Sequence, residues 1–209
     1  MKFRVLGTVG VIDGGRPLTI GSVQQRRLLG LLLVDAGSVV PVERIIDALW
    51  SDSRGPASPE SALHTYVSRL RGSLGDRRIV RHPNGYAIEL RADALDADRF
   101  EPLILEARDR PPSEALGCLD DALALWPGFD PAPAFGVFAS EPWALGASAR
   151  LGGLRLAAME DHFGARIAVG AHREVIADLH RAVAAHPERS HLVGHLMVAL
   201  HRRTHKRMR

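Results

Sequence analysis

An α+β domain followed by an all-α domain is the fold class that the sequence predicts, and three observations lead there. Short β-prone runs bracket three helical segments within residues 1–91. The pair Asn84-Gly85, among the strongest short hairpin signals, closes that group. Beyond residue 92 the apolar residues recur at helical spacing and no stretch alternates. Charge divides the chain at the same place. Residues 1–91 hold 13 basic and 8 acidic side chains, a net of +5, and residues 92–200 hold 9 and 16, a net of −7. The last nine residues add 5 basic and no acidic groups, so +5 − 7 + 5 gives the overall +3. Two domains with different partners are expected, 1–92 and 93–209.

The elements follow in order. Lys2 to Leu6, Val9 to Asp13 and Arg16 to Ile20 are strands, with Asp13-Gly14-Gly15 turning between the last two. Gln24 to Asp35 is a helix with a broad face of Leu28, Leu29, Leu31, Leu32 and Leu33. Val40-Pro41 is an extended link. Val42 to Trp50 is a second helix with Val42, Ile45, Ile46 and Leu49 inward, and Ser51 to Pro56 is a polar loop. The third helix runs from Ser58 to Leu74. Ser58 suits its cap and Pro59 its first turn. Arg77 to His82 and Tyr86 to Leu90 then form a hairpin around Pro83-Asn84-Gly85.

The third helix carries the main functional signal. Leu63, Val67, Leu70 and Leu74 make one apolar stripe. The other side offers Ser61, His64, Thr65, Ser68, Arg69 and Arg71, with no carboxylate after Glu60. Short polar groups and guanidinium forks on an exposed helix suit a major groove. The same pattern fits an ordinary amphipathic surface helix, so its neighbours decide. Three helices followed by a basic hairpin describe a winged helix-turn-helix. His64, Thr65, Ser68 and Arg69 then face base edges, with Arg69 placed to fork onto a guanine. Ser61, Tyr66 and Arg71 lie nearer the phosphates, and Arg78 and Arg81 serve the wing. The indole of Trp50 either reaches a phosphate or caps the core. Gln25, Arg26 and Arg27 meet DNA backbone or polymerase.

The residues support a narrower statement. The run QQRRLLGLLLVDAGSVVPVERIIDALW, then ALHTYVSRLRGSLG and HPNGYAI, resembles the winged helix of the Streptomyces antibiotic regulatory protein (SARP) family. The small sheet ahead of the helices is similar to the OmpR type. The second half is read as helices near Asp93 to Ala107, Ser113 to Trp126, Glu141 to Ala168, His172 to His186 and Ser190 to His205, with a loop over 127–133. Gly170 and Thr204 sit at matching points of two such helix pairs. This half is similar to the family's bacterial transcriptional activation domain, a tetratricopeptide-like array. Thr204 stands where a turn glycine is expected, so the last repeat reads as incomplete.

That resemblance implies an activator that binds direct repeats in double-stranded promoter DNA, as a homodimer or cooperatively, and recruits RNA polymerase. It implies control of an antibiotic gene cluster from the cytoplasm, at the nucleoid. The other reading is a helical-repeat adaptor working through protein contacts. Length leaves no room for the ATPase module of larger members, and no Walker A motif occurs. No secretory signal opens the chain, and the apolar run Leu28 to Val34 is too short to span a bilayer.

Other chemistry finds little footing. His191 with His195, and His201 with His205, have metal-compatible spacing, but no Cys or intervening carboxylate accompanies them. Ser22, Ser38 and Ser140 lack a nucleophile elbow. Neither a metal, a cofactor nor catalysis is expected. Cys118 stands alone, which excludes an internal disulfide.

Overall fold

The computed structural model describes residues 1–50, 55–75, 78–128 and 132–205, the side chains of 204 and 205 excepted. Arg77, the basic tail from Lys206, and parts of the loops expected over 51–56 and 127–133 lie outside the described residues. The chain divides into two compact units, 1–99 with 126–152, and 100–125 with 153–209.

The first unit opens with an antiparallel sheet of β1 (Lys2–Arg4), β2 (Gly10–Asp13) and β3 (Arg16–Leu18). Phe3 pairs with Val11, and Val11 with Leu18. Ser22 and Gln25 then start α1 (Val23–Val34) with a capping box. The Ser22 hydroxyl accepts the Gln25 N–H, and the Gln25 amide oxygen accepts the Ser22 N–H. The five leucines of α1 are all buried because α2, α3 and β6 all touch this helix. Gly30, midway along it, keeps room for an indole: a Cβ there would lie 2.9 Å from the Trp143 ring.

α2 (Val42–Trp50) and α3 (Pro59–Leu74) complete the helical trio. β5 (Ile79–His82) and β6 (Gly85–Ile88) form the expected hairpin. Val40-Pro41 is more than a link. It forms β4, pairs with β6, and gives a second sheet in the order β4-β6-β5.

Two local expectations change. His82 pairs with Gly85, so Pro83-Asn84 alone makes the turn, and neither residue has positive φ. Gly85 is needed for another reason: a Cβ there would lie 2.0 Å from the Val40 carbonyl oxygen. The glycine admits β4 to the sheet instead of shaping the turn. Ser58 does not cap α3. Its hydroxyl bonds the Ser61 hydroxyl at 2.8 Å, and no side-chain cap bond forms.

The helix expected from Asp93 begins at Asp96, as α4 (Asp96–Arg108), because Asp93 adopts φ 59°. Asp96 is only 7% exposed. Its carboxylate accepts the N–H groups of Val5 at 2.9 Å, Leu6 at 3.1 Å and Ala97 at 2.9 Å. Beside it, Phe3 N–H reaches the Ala94 carbonyl at 2.7 Å, and Phe3 bridges to Leu95 in parallel. Phe135 N–H reaches the Val5 carbonyl at 2.7 Å. Residues 126–152 group with the first unit, which no local pattern foretells. Ala134, Phe135 and Phe138 are buried there, and the Trp143 ring meets Phe135 edge-on at 5.9 Å. Leu145 is 55% exposed.

The second unit contains α5 (Pro112–Leu123), the later part of α6 (Pro142–Ala168), α7 (Ile176–Ala185) and α8 (Ser190–His205). Met159, Phe163, Ile167, Val175, Leu179, Ala182, Leu192 and Ala199 form its core. Arg189 holds the nearly buried Glu160 through two bonds, at 2.9 and 2.8 Å. α7 starts four residues later than expected, with His172 to Val175 forming the turn before it. On α8, Leu192 is buried and Leu196 packs on the core, while Met197 remains 66% exposed.

Two measurements check these assignments. Asp96→Ala orphans three buried N–H groups, at about 1–3 kcal/mol for each left unpaired, and should lower the urea midpoint markedly. Burial pushes the Asp96 carboxyl up to about 6 from 3.8, against its N–H donors and Arg4. The folded state therefore binds this proton more tightly. The resulting stabilisation is present below about pH 4 and is lost as pH rises through about 6. The stability of the protein relative to Asp96→Asn should accordingly shrink between pH 4 and pH 7. Gly85→Ala should cost roughly 1–3 kcal/mol or more by overpacking, with amide exchange fastest at Val40 and Tyr86.

Candidate nucleic-acid interface

One-sided burial of α3 builds the site. Leu63, Val67, Leu70 and Leu74 are all buried. The helix period leaves Ser61, His64, Thr65, Ser68 and Arg69 exposed together, with Gly72 and Ser73 beyond them. Glu60 is the only carboxylate on the helix. The Thr65 hydroxyl donates back to the Ser61 carbonyl at 3.0 Å, and Ser73 does the same to Arg69 at 3.2 Å. With its proton spent on the helix, the Thr65 oxygen faces outward as an acceptor beside a methyl group.

The flanks are tied down. Tyr66 stacks on Trp50, with ring centroids 6.2 Å apart and planes 28° from parallel. This contact fastens the end of α2 to α3. Arg71 donates from Nε to the Ile79 carbonyl at 2.9 Å, fastening α3 to β5. Both residues are half-buried, so they brace the helix while standing at the edge of its exposed face.

Arg81 joins the hairpin to the helix. Its Nη1 donates to the Tyr86 hydroxyl at 2.7 Å and lies 2.8 Å from His64 Nε2. The guanidinium also covers the Tyr86 ring, 5.4 Å from its centre. A guanidinium can only donate, so His64 Nε2 accepts and the imidazole proton sits on Nδ1. His64 thus presents an N–H donor outward. Periodicity within α3 carries no sign of this link, although part of it is countable. A two-residue turn at Pro83-Asn84 puts Arg81 opposite Tyr86.

The remaining arginines fare differently. Arg27 turns inward. It pairs with Glu141 at 2.7 Å, donates to the Leu49 carbonyl at 3.2 Å and covers the Phe138 ring at 5.8 Å. A contact of Arg27 with DNA or polymerase would have to give up these bonds within the first unit. Gln25 is buried in the capping box. Arg26 and Arg78 are half-buried, and no described bond links either to the exposed face of α3. The structure thus brings Ser61, His64, Thr65, Ser68, Arg69 and Arg81 together, with Trp50, Tyr66 and Arg71 as their brace. Among the described residues no group of metal-ligating side chains occurs, and no helix is long and apolar enough to cross a membrane.

Comparison with known proteins bears on the whole chain. Residues 16–87 match the family described as "Transcriptional regulatory protein, C terminal", and residues 95–207 match "Bacterial transcriptional activator domain". The regulatory protein AfsR of Streptomyces griseus is 36% identical over 97% of this chain, which spans 20% of that protein. The transcriptional regulatory protein MoaR1 of Mycobacterium bovis is 32% identical, with 95% of this chain and 66% of that protein covered. The solved structure of Mycobacterium tuberculosis EmbR in complex with a low affinity phosphopeptide superposes with a TM-score of 0.85. It is 25% identical, over 97% of this chain and 55% of that one. Those matches, over a winged helix followed by a helical domain, mean that the chain belongs to the SARP family of transcriptional regulators.

Proposed function

We propose that the protein is a sequence-specific DNA-binding activator that recognises direct repeats in a promoter and recruits RNA polymerase. Residues 1–92 are the DNA-binding part and 93–209 the activation part. Its target is a secondary-metabolite gene cluster, and it acts in the cytoplasm, at the nucleoid. The supporting observation is the face of α3: five exposed polar residues, no carboxylate among them, joined by the Arg81 guanidinium.

In this reading α3 lies in the major groove. Arg69 forks onto guanine O6 and N7. Thr65 accepts from an exocyclic amine or packs its methyl against thymine, and His64 donates through Nδ1. Ser61 and Ser68 hydrogen-bond nearby edges or phosphates. Arg78 and Arg81 neutralise backbone charge at the wing, and Arg26 meets backbone at the margin. Trp50, Tyr66 and Arg71 hold the helix in register.

Sequencing the fragments that the purified protein selects from a random DNA pool tests the proposal. An enriched direct repeat supports it, and the absence of enrichment at low salt rejects it. Arg69→Ala should flatten base preference at one operator position, a loss of roughly 1–3 kcal/mol in discrimination. Arg81→Ala should weaken operator and random DNA alike and reduce the salt slope by about one. Equal loss on both DNAs for Arg69→Ala, with the selected sequence unchanged, would show that Arg69 reads no base.

A further inference from the structure

The second unit has a cleft that the DNA-binding reading does not use. Its volume is about 320 Å³, and Gly170, His172, Arg173, Glu174, Arg202 and Arg203 line it. Arg173 comes from the turn before α7 and the other two arginines from the end of α8. All three are exposed, and among the described residues none has a hydrogen-bond or ion-pair partner. By contrast, Arg110, Arg166, Arg181 and Arg189 in the same unit each have an acidic partner. The C-terminal dipole of α8 favours Arg202 and Arg203 where they stand. It does not account for Arg173, which only the fold brings to them. His172 also lines the cleft. Its Nδ1 is buried and bonded to nothing among the described residues.

We propose that this cleft binds a phosphate monoester. Three guanidinium forks carry more positive charge than one carboxylate can neutralise. A phosphoryl group supplies close to two negative charges and three acceptor oxygens, matching the three forks. The volume exceeds that of an inorganic ion, so the ligand has a body beyond its phosphate. Glu174 sets the chemistry of that body. A carboxylate at the edge repels a second anion and accepts from hydroxyl or amino groups. The class is therefore a phosphorylated small molecule rich in such donors, a nucleotide or a sugar phosphate. A second ligand site in a transcription regulator would give its helical domain an input separate from DNA.

The test uses the full chain, titrated with AMP, glucose 6-phosphate, inorganic phosphate and adenosine at constant ionic strength. Calorimetry reads affinity, and the His172 ring nitrogens are followed by NMR. Saturable binding of one of the two monoesters, tighter than inorganic phosphate, with no binding of adenosine, is expected. AMP and glucose 6-phosphate distinguish the nucleotide from the sugar source. Arg173→Ala, Arg202→Ala and Arg203→Ala should each weaken the better monoester at least about tenfold, as loss of a charge-assisted bond requires. Arg203→Lys, which keeps the charge but not the fork, should fall between. Arg110→Ala should change nothing. Glu174→Gln should weaken the monoester but spare inorganic phosphate. The ring of His172, which lines the cleft, should shift on saturation. The proposal is overturned if neither monoester binds at millimolar concentration, if inorganic phosphate binds equally well, or if the arginine variants bind normally while remaining folded. Loss of double-stranded DNA binding alone in those variants would also overturn it, since the cleft would then be a backbone contact.

Discussion

Burial of Leu63, Val67, Leu70 and Leu74 along one side of α3 is the constraint on which the functional surface depends. Four apolar side chains, each worth about 1.5–3 kcal/mol when fully buried, fix the rotation of the helix about its axis. Once that rotation is set, Ser61, His64, Thr65, Ser68 and Arg69 have no direction left but outward. A shift of the stripe by one position would turn Arg69 toward the core and cost far more than any contact it makes. Trp50 against Tyr66 and Arg71 against the Ile79 carbonyl then fix the helix to its neighbours. The exposed face is thus presented by a helix held on two flanks, the condition for reading a groove without first ordering the reader.

A second constraint holds the rest of the first unit. The Asp96 carboxylate satisfies three buried N–H groups, two of them ninety or more residues away in sequence. Leaving those donors bare would cost more than burying the acid, so the residue persists although desolvation raises its proton affinity. Phe3 and Val5 carry the same seam onward to Ala94 and Phe135. The aromatic residues Phe135, Phe138 and Trp143 finish that core, and Arg27 with Glu141 closes its rim.

Arginine serves several purposes in this chain. Arg27, Arg71 and Arg189 are consumed by the structure, each holding a carbonyl or carboxylate from another element. Arg81 is shared, bonded to Tyr86 and His64 yet exposed at the wing. Arg69 and the three arginines around Gly170 are left over. Composition cannot sort these groups, because a guanidinium reads alike in sequence whether it braces a fold or waits for an anion.

The sequence by itself determined what local periodicity controls. The inward stripe of α3, the leucine face of α1, the Asp13-Gly14-Gly15 turn and the helices beyond residue 92 all follow from spacing of a few residues. So does the exposed set from Ser61 to Arg69, since one helical period separates its two faces. Tertiary structure alone decided the rest. It made Val40-Pro41 a strand, turned Arg27 inward to Glu141 and joined Arg81 to His64. It also drew residues 126–152 to the first unit and gave Gly85 its purpose against the Val40 carbonyl. The physical reason is the same each time. These outcomes depend on which donor, acceptor or ring arrives from a distant part of the chain, and pattern within a segment carries no record of that partner.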